Sequence, residues 1–468
     1  MRRALVLLIA VATLMASSVS LAAAATGSRN IGINVVLKRD ITKAILADLA
    51  RFGTVNETYP QIDALTMKVR ESNLSAIRGR SYVAAANPDA KRVGKPVPTS
   101  PFTDTANGIA TWDLDQINVM DNGAPDSRSV AQDGTGVYVA VIDTGLLSSW
   151  RFYFGEDRIA DEFAIAFGGG GGEKGTVSTQ PNKWQTDQNS HGTHVTSTIL
   201  GYNLLGAPVG GVAPKSTVIP VKVLNQNGSG SSSAVAAGIM YVANLKMSGA
   251  LGSHPVVINM SLGGDELDAL EKAAIDFAIA HGVLVVASAG NEGTDGMGFP
   301  GAYAPVISVA ASGWTGEWRP GADGNPNNWW NADNVADPTL ASEAYITDFS
   351  SRQLAGQDLD IAAPGSWVVG PYQTNGQLSY FFVGGTSQAA PHVTGTVALM
   401  LQKNGSLTQA QADAALTSSA IPLPGGCRDV LEIGATTTTP FCWETGTDTA
   451  EATGAGLLNV PGALAATP

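Results

Sequence analysis

The sequence predicts an α/β fold with a mainly parallel central sheet, preceded by a small α/β unit. Five apolar runs, at 137–142, 218–224, 256–260, 283–287 and 306–310, have the length of strands buried on both faces. Helical patterns at 191–200, 234–245 and 268–281 alternate with them, the last stopped by Gly282. Such alternation builds a parallel sheet covered by helices, and ligands then belong at the strands' carboxyl ends.

In chain order, residues 1–25 have the three parts of a secretory signal. Arg2 and Arg3 give the positive end, Ala4 to Met15 the apolar body, and Ala22 to Ala25 a small-residue cleavage site. An uncleaved anchor is the alternative, and the short body favours cleavage, hence a secreted chain, extracellular or periplasmic. Residues 26–100 form the small unit. A strand is expected at 35–37, a helix through Ile41, Ile45, Leu49 and Phe52, and a strand through Leu65, Met67 and Val69. A short helix around 74–77 and a strand at 82–84 complete it. From 94 to 107 the chain is rich in Pro, Thr and Ser, as an exposed linker would be. Residues 101–468 make the body, with insertions near 155–186 and 314–345. The first holds a glycine run at 168–172. The second carries Trp318, Trp329 and Trp330 and reads as a surface insertion rather than a carbohydrate-contacting patch.

The 468 residues are 44% hydrophobic and 14% charged, which excludes a disordered polyampholyte. Net charge is −13, which argues against a nucleic-acid partner. Residues 26–100 hold 12 Lys+Arg against 6 Asp+Glu, so a basic unit precedes a strongly acidic body and the two should attract. No apolar run after the leader is long enough to span a membrane. Two cysteines exclude a disulfide-dense scaffold or a four-thiolate zinc site. Cys427 and Cys442 flank 14 residues; in a secreted chain a disulfide is the default and two free thiols the alternative.

Four segments place polar residues where buried strands end or helices begin. Asp143 closes the run Val139-Ala140-Val141-Ile142-Asp143-Thr144-Gly145, where a carboxylate must be paired or hydrogen-bonded. His191 and His194 lie in Asp187-Gln188-Asn189-Ser190-His191-Gly192-Thr193-His194. No cysteine cluster or metalloprotease pattern accompanies them, so a metal pair is disfavoured and His194 reads as structural. Asn291 leaves a strand in Ala287-Ser288-Ala289-Gly290-Asn291, as a turn former or as a donor to developing negative charge. Ser387 opens a helix in Gly384-Gly385-Thr386-Ser387-Gln388, with Pro391 expected in its first turn. Singly each has a bland reading. Jointly they supply a nucleophile, a base, an orienting acid and an oxyanion donor, in the order Asp…His…Ser.

On these residues the chain resembles the subtilisin-like serine proteases from about Trp112 to Leu464. The resemblance implies a three-layer catalytic domain, an Asp143–His191–Ser387 triad, and an oxyanion hole of Asn291 and the Ser387 N–H. It implies that Gly228-Ser229-Gly230 and Ser261-Leu262-Gly263 line the substrate cleft. Gly298, followed by a cis Phe299–Pro300 bond, would leave the first specificity pocket open to large apolar residues. It also implies that residues 26–100 are an inhibitory propeptide, removed by self-cleavage between 93 and 105, and that the enzyme is a monomer acting on proteins and peptides. No cofactor is expected for the chemistry. The family's tight calcium site is not evident, because residues 146–152 lack the expected acid and Leu205 stands where an asparagine would. Backbone carbonyls around Gly301, Tyr303 and Val306 remain a candidate weak cation site, so Ca2+ is possible as a structural ion with no ligand set assigned. Gln388 replaces the common methionine after the nucleophile and is expected to confer resistance to peroxide. The rival functions are a processing protease or peptide ligase on the same fold, and a silent adhesion protein using the Trp-rich insertion.

Overall fold

The computed structural model describes residues 29–94, 99–102, 110–123, 128–170, 175–320, 328–372, 379–446 and 451–468. The leader at 1–25 lies outside them. So do residues 95–98 and 103–109, which hold most of the expected linker and cleavage interval, and Gly171 and Gly172 of the glycine run.

The first described unit is a four-stranded antiparallel sheet in the order β2-β3-β1-β4. Its strands are β1 (Asn30–Leu37), β2 (Gly53–Tyr59), β3 (Ala64–Arg70) and β4 (Val83–Pro88), with helices α1 (Lys43–Leu49) and α2 (Leu74–Arg78) between them. Alternate residues of β1, namely Ile31, Ile33, Val35 and Leu37, share a core with Leu49, Leu65, Met67 and Ile77. Thr42 caps α1 by accepting the Ile45 N–H at 3.2 Å. β2 was not expected: its Gly-Thr-Val-Asn-Glu-Thr-Tyr sequence gives no clean alternation, and pairing with β3 alone makes it a strand. The expected linker also needs correction, because β6 (Thr99–Phe102) pairs with a strand of the body.

The body opens with the short helix α3 (Trp112–Gln116) and is an α/β domain around a nine-stranded sheet. Its central strands are β7 (Tyr138–Asp143), β8 (Ile165–Gly170), β9 (Thr176–Thr179), β10 (Thr217–Lys222), β12 (Val256–Met260), β13 (Val283–Ser288) and β14 (Ile307–Trp314), with β15 (Ala344–Ile346) and β16 (Ile361–Pro364) flanking β14. A separate edge strand is β11 (Ser229–Ser231). The sheet runs β15-β14-β13-β12-β7-β10-β8-β9, with β16 also on β14. Pairing is parallel except for β15 on β14 and β9 on β8.

Strand alternation divides the core into two layers. Val139, Val141, Val257, Leu284 and Val286 face one hydrophobic cluster; Ala140, Ile142, Ile258, Met260, Val283 and Val285 face the other. Helices α5 (Ser232–Met247) and α6 (Ala269–Ala280) cover the second face, while α4 (His191–Leu200) and α7 (Thr386–Lys403) cover the first. With both faces covered, this is the three-layer arrangement.

The later strands β17 (Val368–Pro371) and β18 (Tyr380–Val383) form a small antiparallel sheet with β6. Cys427 and Cys442 are disulfide-bonded and directly opposed across the hairpin of β19 (Gly426–Leu431) and β20 (Thr438–Trp443). The Trp-rich stretch turns inward. Trp329 stacks on Phe382 and packs beside Trp112, Trp314 and Trp318, and all five rings belong to the first-face core. Buried indoles offer no exposed aromatic face to a sugar. Residues 321–327 of that stretch lie outside the described set.

Candidate active site

Parallel strands bring strand carboxyl ends and helix amino ends to one edge, and three of the singled-out residues arrive there. Asp143 is the last residue of β7, His191 the first of α4 and Ser387 the second of α7. Asp143 and His191 are both fully buried. His191 Nδ1 lies 2.9 and 3.0 Å from the two Asp143 carboxylate oxygens. An acceptor-only carboxylate on that side requires the proton on Nδ1, which leaves Nε2 as the basic nitrogen. Asp143 Oδ1 also accepts the Thr144 N–H at 2.6 Å, and Thr144 Oγ1 accepts the Gly192 N–H at 2.8 Å. Gly192 has to be glycine, since a Cβ there would stand 2.5 Å from the Gly145 carbonyl oxygen.

His191 Nε2 is buried with no hydrogen-bond partner among the described residues. The Ser387 hydroxyl donates instead to the Ser261 carbonyl at 3.2 Å. A segment of the same chain lies over both groups. A Cβ built on Gly94 would be 3.3 Å from His191 Cε1 and 2.8 Å from the Ser261 carbonyl oxygen.

Ser387 sits so early in α7 that its N–H has no intrahelical acceptor and faces the positive end of an 18-residue helix. Pro391 lies in the second turn of α7, not the first as its sequence suggested. It removes the N–H that would bond the Ser387 carbonyl, and the Ser261 hydroxyl fills that place at 2.7 Å. Asn291 is fixed from its oxygen side: Oδ1 accepts the Thr386 N–H at 2.9 Å and the Thr386 hydroxyl at 3.0 Å. Its amino group is thereby left free to donate at the cavity that Asn291 and Ser387 both line. Gln388, also buried, follows Ser387 on α7.

The expected cleft walls are brought together around β5 (Lys91–Val93). β5 pairs antiparallel with β11, setting Val93 opposite Ser229 and Arg92 opposite Gly230. The Gly94 N–H donates to the Gly228 carbonyl at 3.0 Å. Across the cleft, Val93 and Gly263 exchange both backbone hydrogen bonds, at 2.9 and 3.0 Å. Leu262, Gly263 and Gly298 line a cavity of about 600 Å3 together with Asn291 and Ser387. The Phe299–Pro300 bond is cis.

Several residues at this edge carried no readable signal in the sequence. Asp187 accepts the Ser190 N–H at 2.7 Å and the Thr193 hydroxyl at 3.0 Å, bracing the start of α4. Burial pushes its carboxyl up to about 6 against the pull of Lys222. Lys222 donates to the Thr144 and Leu224 carbonyls at 2.6 and 2.8 Å. A second buried pair joins His392 of α7 to Asp113 at 2.9 Å. Only its partner distinguishes His392 from an ordinary core histidine. His194 is structural: Nε2 bonds the Val368 carbonyl at 3.2 Å, and burial holds its pKa near 3, so it stays neutral.

At the loop where the family's tight calcium site was not evident in the sequence, the described residues offer no ready ligand set. Leu205 is exposed, and the Asn203 Oδ1 is occupied by the Gly206 N–H at 2.8 Å. The Tyr303 carbonyl accepts the Val306 N–H at 2.8 Å. Among the described residues, Asp115, Asp121 and Asp337 bring carboxylate oxygens within 4.8 Å of one another and have the spacing to hold a cation. Burial first, and then the neighbouring acids, push Asp115 up to about 7.

Residues 134–457 match the model of the subtilase family. Over 295 residues the chain is 34% identical to subtilisin DY of Bacillus licheniformis, covering 62% of this chain and 85% of that protein. Over 314 residues it is 33% identical to an extracellular serine proteinase of Thermus sp. (strain Rt41A), covering 67% of this chain and 62% of that protein. Among solved structures, fervidolysin from Fervidobacterium pennivorans aligns over 94% of this chain and 61% of its own, with a TM-score of 0.64 at 22% identity, a likeness of fold.

Proposed function

The chain belongs to the subtilase family of serine endopeptidases, and from that premise we propose that Asp143, His191 and Ser387 form its catalytic triad. The observation that carries the reading is the buried Asp143–His191 pair at the same strand-end edge as Ser387 at the start of α7, in a cleft that already holds an extended strand.

In this mechanism a peptide lies between β11 and Gly263 on the hydrogen bonds that β5 now makes. The Ser387 hydroxyl attacks the carbonyl carbon and passes its proton to His191 Nε2. Asp143 holds the Nδ1–H and stabilises the imidazolium. Negative charge on the former carbonyl oxygen is met by the Asn291 amino group and the Ser387 N–H. His191 returns the proton to the departing amine, and water then releases the acyl group from Ser387. No cofactor enters any step. That His191 Nε2 has no partner among the described residues fits a base whose hydrogen bonds tighten only in the reacting complex.

Residues 26–100 act as a propeptide. Their basic character suits the acidic body, and β5 with Gly94 occupies the cleft in the manner of a product. Self-cleavage falls between 93 and 105. The leader directs secretion. Large apolar residues are preferred before the cleaved bond, since glycines at 263, 264 and 298 leave the 600 Å3 cavity open beside Leu262 and Met297. Casein digestion tests the activity. A peptide panel tests the preference, and best cleavage after Arg or Asp would overturn it.

Asn291→Ala is expected to lower kcat by about 10²- to 10³-fold with little change in KM, because the amide serves the oxyanion more than the bound ground state. Steady-state kinetics on a peptide amide would check this. A change confined to KM would make Asn291 a binding residue only.

A further inference from the structure

Beside the cleft is a buried charge pair that the mechanism leaves unused. Arg92 of β5 and Glu271, the third residue of α6, both have fully buried side chains. Arg92 Nε lies 3.1 Å from each Glu271 oxygen, and Nη2 reaches the same carboxylate. Nη2 also donates to the Glu266 carbonyl at 3.0 Å, and Nη1 to the Lys91 carbonyl at 2.9 Å. The wall fits this side chain closely, since a Cβ on Gly264 would meet Nη1 at 2.9 Å. Asp268, the N-cap of α6, accepts the Leu270 and Glu271 N–H groups and places a second acid nearby.

The two partners belong to different parts of the chain. Arg92 lies in the segment proposed to leave on maturation, whereas Glu271 stays with the body. A peptide entering on the hydrogen bonds of β5 would set its own side chain where Arg92 now lies. Without a cation there, Glu271 would be a desolvated carboxylate with no partner, which is costly. The pocket also asks for a fork more than a point charge. Two nitrogens meet one carboxylate while two further hydrogen bonds go to carbonyls, a pattern that a guanidinium satisfies and an ammonium does not. Gly94, two residues after Arg92, already lies against His191, so the cleaved bond follows its position or the next one.

We propose that Glu271 makes this pocket an arginine-selective substrate subsite, taking the third or fourth residue before the cleaved bond. The inference rests on the hydrolase reading above. Its test uses matured wild-type enzyme, with active sites counted by a fluorophosphonate, on fluorogenic peptides that keep Phe before the bond. Arg, Lys, Leu and Glu are scanned through the second to fifth residues before it. Arg is expected to raise kcat/KM over Leu by about 10- to 100-fold at a single position, the third or fourth, with Lys weaker and Glu slowest. Glu271→Gln should bring the Arg-to-Leu ratio to near one, and Glu271→Asp should retain part of it. Should Glu271→Gln fail to mature, the wild-type scan decides alone. A flat scan, or one favouring Leu, from labelled enzyme overturns the subsite only. Failure of the wild-type protein to label overturns the hydrolase reading and the subsite with it.

Discussion

Ser387→Ala protein, made from the full chain, is expected to accumulate uncut with residues 26–100 still attached. Any sample freed of that segment by another protease should turn over peptide amides at least about 10⁴-fold more slowly than wild type. The size follows from chemistry. An alanine methyl has no oxygen to form an acyl bond, so the cleft can only bind and polarise its substrate. Folding should be little changed, because the lost hydroxyl makes one hydrogen bond, to the Ser261 carbonyl, while the Ser387 carbonyl keeps its bond from the Ser261 hydroxyl. Mass spectrometry of the purified protein reads the result. A Ser387→Ala chain that matures when purified alone would contradict self-processing.

Asp143→Asn is the second large effect. The change is nearly isosteric, and the backbone of residue 143 keeps accepting the Val223 and Leu224 N–H groups at 2.8 and 3.1 Å. What changes is the face offered to His191. An amide can turn its NH2 toward Nδ1, forcing the proton onto Nε2, where it blocks the base. A kcat loss of about 10⁴-fold near neutral pH is expected, with KM close to wild type because Asp143 touches no substrate. A loss of only a few fold would reduce the Asp143–His191 pair to a structural contact.

These two variants probe what was most readable in the sequence. Asp143, His191 and Ser387 each sit in a local pattern, a buried strand or a helix start next to glycine, and those patterns survive without knowledge of the fold. The five apolar runs became strands because each is buried on both faces. What could not be read lacks either periodicity or proximity. Strands such as Val368–Pro371 and Tyr380–Val383 are four residues long, too short for alternation to show. Thr99–Phe102 resembles a linker because its Pro and Ser signal a loop, and its pairing partner lies far along the chain. The Trp-rich stretch looked superficial from its Asn, Asp and Gly content, although its indoles fill the core. Arg92 and Glu271 are 179 residues apart, and a buried charge can be recognised only through its partner. Pro391 reads as a first-turn proline, yet it sits in the second turn, because its compensating hydroxyl, Ser261, comes from another strand end.

The proposed triad requires Ser387 to be the residue activated by the His191–Asp143 pair. Matured protein treated with a fluorophosphonate, digested and mapped by mass spectrometry tests it most directly. A single adduct on Ser387, abolished in His191→Ala, is the outcome foreseen; an unlabelled protein, or an adduct carried by a different serine, would contradict it.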